Sequence, residues 1–110
     1  MAFKAAFVVM APDGDPQTHR ASIKTSKLEL TTVVVEMMDF DQAVDVCKEL
    51  VQNEGIQSIT LCPGFHHEGV AKIANAVGEG VAISVARDDV PSGMITGEIL
   101  RKEGWLPEGH

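Results

Sequence analysis

Phe3 to Met10 reads FKAAFVVM, apolar at almost every position, and Val81 to Ala86, VAISVA, has the same character toward the other end of the chain. A strand inside a parallel sheet is covered on both faces and shows such continuous apolar runs, where a half-solvated strand alternates. Two of them, separated by segments with helical periodicity, point to the α/β class. Leu28 to Val35, LELTTVVV, begins with alternation and ends in a β-branched run, which suits a strand toward an edge of the sheet. Ile56 to Leu61 reads as a further strand.

Between Asp39 and Glu54, apolar residues from Phe40 through Cys47 to Val51 recur every three or four positions, one face of an amphipathic helix. Asp39 suits its N-cap, and Gly55 suits the left-handed residue that closes it. A second helix carries Val70, Ile73, Ala74 and Val77 on one side and ends at Gly78. Asp15-Pro16 predicts a short helix from there to about Ile23, with the carboxylate as cap and proline in the first turn. After Arg87-Asp88-Asp89, a Pro-Ser-Gly turn leads to a short helix near Thr96 to Lys102. The order β-α-β-α-β-α-β then gives a small, mostly parallel four-stranded sheet flanked by helices, in Rossmann- or flavodoxin-like layering, with a short C-terminal helix. The alternative for Ala11 to Lys27 is a long loop joining antiparallel strands, which makes the sheet mixed.

With 110 residues the chain has room for one domain, residues 1–110. Such a chain buries about 60–65% of the surface that its unfolded form exposes, so it needs no staple. Nine Lys and Arg against sixteen Asp and Glu give a net charge of −7, a field that repels phosphate backbones and argues against nucleic acid as a partner. The apolar N-terminal run is far shorter than the roughly 20 residues a bilayer requires, so no membrane partner is expected. Cys47 and Cys62 are too few for a disulfide scaffold, and reduced thiols in a cytoplasm are the expectation. No repeat, linker or low-complexity stretch is present.

In parallel α/β sheets ligands bind beyond the carboxyl ends of the strands, where loops meet helix N-termini. Three loops qualify: Ala11 to Asp15, Cys62 to Glu68, and Arg87 to Ser92. The middle one, Cys-Pro-Gly-Phe-His-His-Glu-Gly, places a thiol, two imidazoles and a carboxylate directly before a helix. His66 and His67 stand seven positions before Ile73 and Ala74, and are expected to share the sheet-facing side above the strand ends. His67, Cys62 and Glu68 are the candidates for acid/base or nucleophilic chemistry. His66, Gly64, Phe65, Gly69, Asp13, His19, Arg20 and Arg87 are candidates for ligand contact, with the helix N-terminus suited to a carboxylate or phosphate.

Each candidate also has a structural reading. Glu68 precedes Lys72 by four and can form a surface ion pair. Cys62 can be strand packing, His67 a capping or packing group, His19 a surface residue, and Arg87 the partner of Asp88, Asp89 or Asp13. Cys47 belongs to a buried helix face. A metal held by Cys62, His66 or His67, and His19 fits ligand chemistry but not spacing, because adjacent helical histidines diverge by about 100°. The glycines form no phosphate loop or dinucleotide fingerprint, so no cofactor is predicted.

Phe3-Lys4-Ala5-Ala6-Phe7, Asp15-Pro16 with His19-Arg20, Lys48-Glu49-Leu50-Val51, and Cys62-x-Gly-Phe-x-His-Glu-Gly together resemble a family of small prokaryotic proteins of unknown function. The resemblance covers roughly residues 2 to 86. Its central motif is closer to Cys-Gly-Gly-Phe-Gly-His-Glu-Gly, so His67, Glu68 and Gly69 are in register while Pro63 and His66 depart. It implies an α/β domain with its site at this loop, and no activity.

Two functions compete on these residues. One is a pocket for a small anionic or carbonyl metabolite at residues 62–69, with acid/base chemistry of the lyase or isomerase kind as its enzymatic form. The other is a non-enzymatic, homo-oligomeric module, using strand edges and the apolar segment 94–110 around Trp105 to dock.

Overall fold

The structure, a computed structural model, describes residues 1–106. β1 (Phe3–Ala11) lies at the centre of a five-stranded sheet with the order β2-β3-β1-β4-β5. β3 (Leu28–Glu36), β4 (Ser58–Leu61) and β5 (Ala82–Val85) run parallel to it, whereas β2 (Arg20–Lys24) is an antiparallel edge strand on β3. The parallel strands thus keep a flavodoxin-like order with one antiparallel strand added. Residues 107–110 of the expected docking segment lie outside the described residues.

The α/β class and the mostly parallel sheet agree with the sequence reading, but the sheet has five strands and the first connection is not helical. Asp15 accepts hydrogen bonds at its side chain from the Gln17 N–H (3.1 Å) and the Thr18 hydroxyl (3.1 Å). Its carbonyl accepts from the His19 N–H (2.8 Å). That is one closed turn, after which the chain extends into β2. Asp-Pro opens turns as readily as helices, and here the hairpin decides. Thr25 pins it, its hydroxyl accepting from the Leu28 N–H at 2.9 Å.

α1 (Phe40–Glu54) and α2 (His67–Val77) carry the chain from β3 to β4 and from β4 to β5. Both steps go the same way across the sheet, so right-handed crossovers place both helices on one face. They pack against each other there. The caps match the sequence reading: Asp39 accepts from the Gln42 N–H at 3.0 Å, and Gly55 is left-handed at φ 71°. Ala6, Val8, Met10, Val33, Val35, Ile59 and Leu61 form the sheet side of the core, and Ala43, Val46, Cys47, Leu50 and Ile73 the helix side.

In a fully wound fold the β1-to-β3 connection carries a helix on the opposite face. Here that connection is the turn and β2, so among the described residues no crossover helix lies on the opposite face, which Leu100 and Trp105 approach at Val9. β1 is therefore buried only on alternate residues, Ala6, Val8 and Met10, with Ala5, Phe7 and Val9 half-buried. The expectation of two covered faces fails for this reason. β5, also read as a covered strand, is an edge strand with three of four residues exposed. The C-terminal helix is longer than expected: α3 (Val90–Lys102) starts before Pro91, which sits in its first turn rather than in a separate turn.

Candidate functional site

The loop after β4 is held at three points. The Cys62 N–H donates to the Val8 carbonyl (3.1 Å) and the Phe65 N–H to the Cys62 carbonyl (3.2 Å). The third anchor is the Phe65 ring, buried at 4% exposure and 6.0 Å from the Phe40 ring. His66 then takes the N-cap position of α2 in an extended conformation, with no side-chain cap bond. The N–H groups of the first turn, His67, Glu68 and Gly69, are therefore uncapped, and the positive end of the helix dipole lies at the end of β4.

The two histidines part company at this point. The His66 ring turns to α1 and sits 5.7 Å from the Phe40 ring. His67 lies on the stripe of Val70 and Ala71 and lines a cleft of about 530 Å³ with Pro63, Phe65, Val85, Ala86, Arg87 and Asp88. Both imidazoles are exposed, and Ala74 is exposed as well, so the expected shared sheet-facing side does not exist; only Ile73 of that pair is buried. Arg87, for which a pair with Asp88, Asp89 or Asp13 was the alternative to ligand contact, has no ion-pair partner among the described residues. Asp89 is engaged elsewhere, capping α3 by accepting from the Ser92 N–H (2.8 Å), and those bonds from Ser92 hold its carboxyl below the usual range.

The other candidates are spread over the molecule. Cys62 is buried and lines an adjoining, more apolar cavity of about 450 Å³ beneath α3, with Val9, Met10, Met37, Leu100 and Trp105; Pro63 and Asp88 are walls of both cavities. The thiol and the His67 imidazole therefore line neighbouring cavities, not one common pocket. Glu68 is 81% exposed and stands 4.0 Å from Lys72, the surface pair its spacing allows. Asp13 is exposed in the turn after β1 and lines neither cavity. His19 accepts through Nδ1 from the Asp15 N–H (2.9 Å) and serves its own turn. Arg20 reaches the Pro16 carbonyl (2.8 Å) and Glu54 (3.1 Å), tying β2 to α1.

Gly69 has a packing role. A Cβ there would stand 2.7 Å from the Phe40 ring, so the glycine lets α2 approach α1. Among the described residues no group of three His, Cys, Asp or Glu side chains could hold a metal ion, and Cys62, His19, His66 and His67 form no such set. Sequence reasoning missed Phe40 as the ring that organises the loop; its signal was a glycine in the first turn of a helix. It also passed over Asp88 as a wall of the cleft.

The comparison with known families falls on the same region. The profile of DUF6506 matches residues 3–97. The chain belongs to this family, described as a family of unknown function. The DUF6506 match runs beyond residue 86, where the resemblance read from the sequence ended, and takes in β5, Arg87 and most of α3. No curated protein and no solved structure matched the chain. No helix among the described residues is long and apolar enough to cross a membrane.

Proposed function

We propose that the cleft between the start of α2 and the end of β5 binds a small anionic or carbonyl metabolite. The observation that carries the proposal is the convergence of Arg87, without an ion-pair partner, with His67 and the uncapped first turn of α2 around one cleft. A carboxylate or phosphate placed there takes charge-assisted hydrogen bonds from the guanidinium and lies at the positive end of a helix. Val70, Ala71 and Val85 supply the apolar wall that pockets for small molecules usually have. In an enzymatic form, His67 is the proton acceptor and Asp88 the acidic residue that lines the same cleft, a set suited to lyase or isomerase chemistry on a carbonyl compound. Both cysteines are unbridged and buried, which fits a cytoplasmic setting.

Calorimetric titration with pyruvate, malate and inorganic phosphate tests the proposal. At least one is expected to bind, and Arg87→Ala should weaken it about 10- to 100-fold, the worth of a hydrogen bond to a charged group. His67→Ala should weaken it less, and His66→Ala should leave it unchanged. Equal binding by wild type, Arg87→Ala and His67→Ala would reject the cleft as the site.

A further inference from the structure

The cleft adjoins the cavity beneath α3, and the two share Pro63 and Asp88 as walls. Their chemistry differs. Arg87, His67 and the uncapped first turn of α2 belong to the cleft, whereas Asp88 is the one charged residue lining the cavity of about 450 Å³. An anionic group is therefore held in the cleft and repelled from the cavity, where Val9, Met10, Met37, Leu100 and Trp105 accept apolar groups. The pair of spaces fits one ligand with a charged head and an apolar tail.

α3 keeps the tail space open. Gly93, Thr96, Gly97 and Leu100 recur at helical spacing and line the cavity, while Val90, Met94, Ile95 and Ile99 stay exposed. A helix ordinarily turns its large apolar residues toward its domain; this one turns mostly small ones and has no buried residue. Neither glycine answers a close approach of the kind seen at Gly69. A Cβ at Gly93 would stand 3.6 Å from Asp88, and one at Gly97 3.8 Å from Arg101, both ordinary contact distances. Glycine disfavours helix, so packing gives no reason for two of them here. At the far end Gly104 is left-handed at φ 78°, and the Trp105 N–H donates to the Leu100 carbonyl at 2.9 Å, which brings Trp105 back to the cavity. Unfilled apolar space forfeits the dispersion contacts of its walls, and Met10 and Met37 have the flexible side chains that adapt to an occupant. The volume is in the range of small-molecule sites.

We infer that the ligand is a monocarboxylate with an apolar chain, its head at Arg87 in the cleft and its chain in the cavity beneath α3. The inference rests on the cleft reading and names the substrate class of that site.

Calorimetric titration of the whole chain with butyrate, hexanoate and octanoate tests it. Affinity should rise about 3- to 4-fold per methylene, so that octanoate binds roughly 100-fold tighter than butyrate. Val9→Phe combined with Thr96→Leu fills the cavity with residues suited to strand and helix, and should abolish that gain while leaving butyrate binding unchanged, which also shows that the variant is folded. Trp105 is the chain's one tryptophan, so its emission should move to shorter wavelength with octanoate and stay in place with pyruvate. Equal affinity for butyrate and octanoate, a gain that the filled variant keeps, or an unmoved Trp105 emission would overturn the inference and leave the cleft reading standing wherever butyrate binding still depends on Arg87. Butyrate and octanoate binding unaffected by Arg87→Ala is the separate result that would reject the cleft reading and this inference with it.

Discussion

Gly69 fits beneath the Phe40 ring because it lacks a side chain, and Gly14 passes so close to the Val35 carbonyl that a methyl group there would overlap backbone. The two glycines predict different costs. Gly69→Ala meets an aromatic ring that can shift, so we expect a loss of about 1–3 kcal/mol. Phe40→Leu in the same chain should recover part of it, as a double-mutant cycle by urea denaturation would show. Gly14→Ala meets backbone and should cost more than Gly69→Ala in the same assay; equal costs would contradict this packing account. The candidate site was only partly legible at this scale. Composition placed the reactive loop correctly, and the surface pairing of Glu68 with Lys72 followed from spacing alone. The separation of Cys62 from His67 did not, because it depends on Phe65 and Phe40 turning the loop, a long-range contact that no local pattern encodes.

Caps and apolar period predicted both ends of α1 and the end of α2 at Gly78, since these signals are local; the start of α2 at His67 carries no side-chain cap to mark it. The Asp15-Pro16 turn shows where this reasoning stops: the residues allow helix or turn, and pairing of Arg20–Lys24 with β3 selects the turn. α3 rests on local signals again, having no buried residue of its own. Its Asp89 cap should therefore matter more than its packing. Asp89→Ala is expected to speed amide hydrogen exchange across residues 92–95 without changing exchange in α1. Unchanged exchange in α3 would show that the cap does not hold the helix.

At the scale of the molecule, Cys47 links the core to pH. Burial pushes its thiol up to about 12 from 9.0. A thiol whose folded pKa is raised stabilises fully below pH 9, and that contribution is lost as pH rises toward 12, because only the unfolded chain ionises. Between those limits the stability of wild type should fall more steeply than that of Cys47→Ala in urea titrations; parallel curves would contradict the burial argument. The α/β class was legible from apolar runs and helical period. The missing crossover helix was not, because the apolar side chains of Ala5, Phe7 and Val9 read as a strand covered on both faces although they are only half-buried. The cleft remains the central claim, and an amide chemical-shift map recorded while adding pyruvate, malate or phosphate tests it most directly. The account predicts shifts confined to residues 63–71 and 85–88, absent in Arg87→Ala. Shifts centred instead on Cys62, Met37 and Trp105 beneath α3 would contradict it.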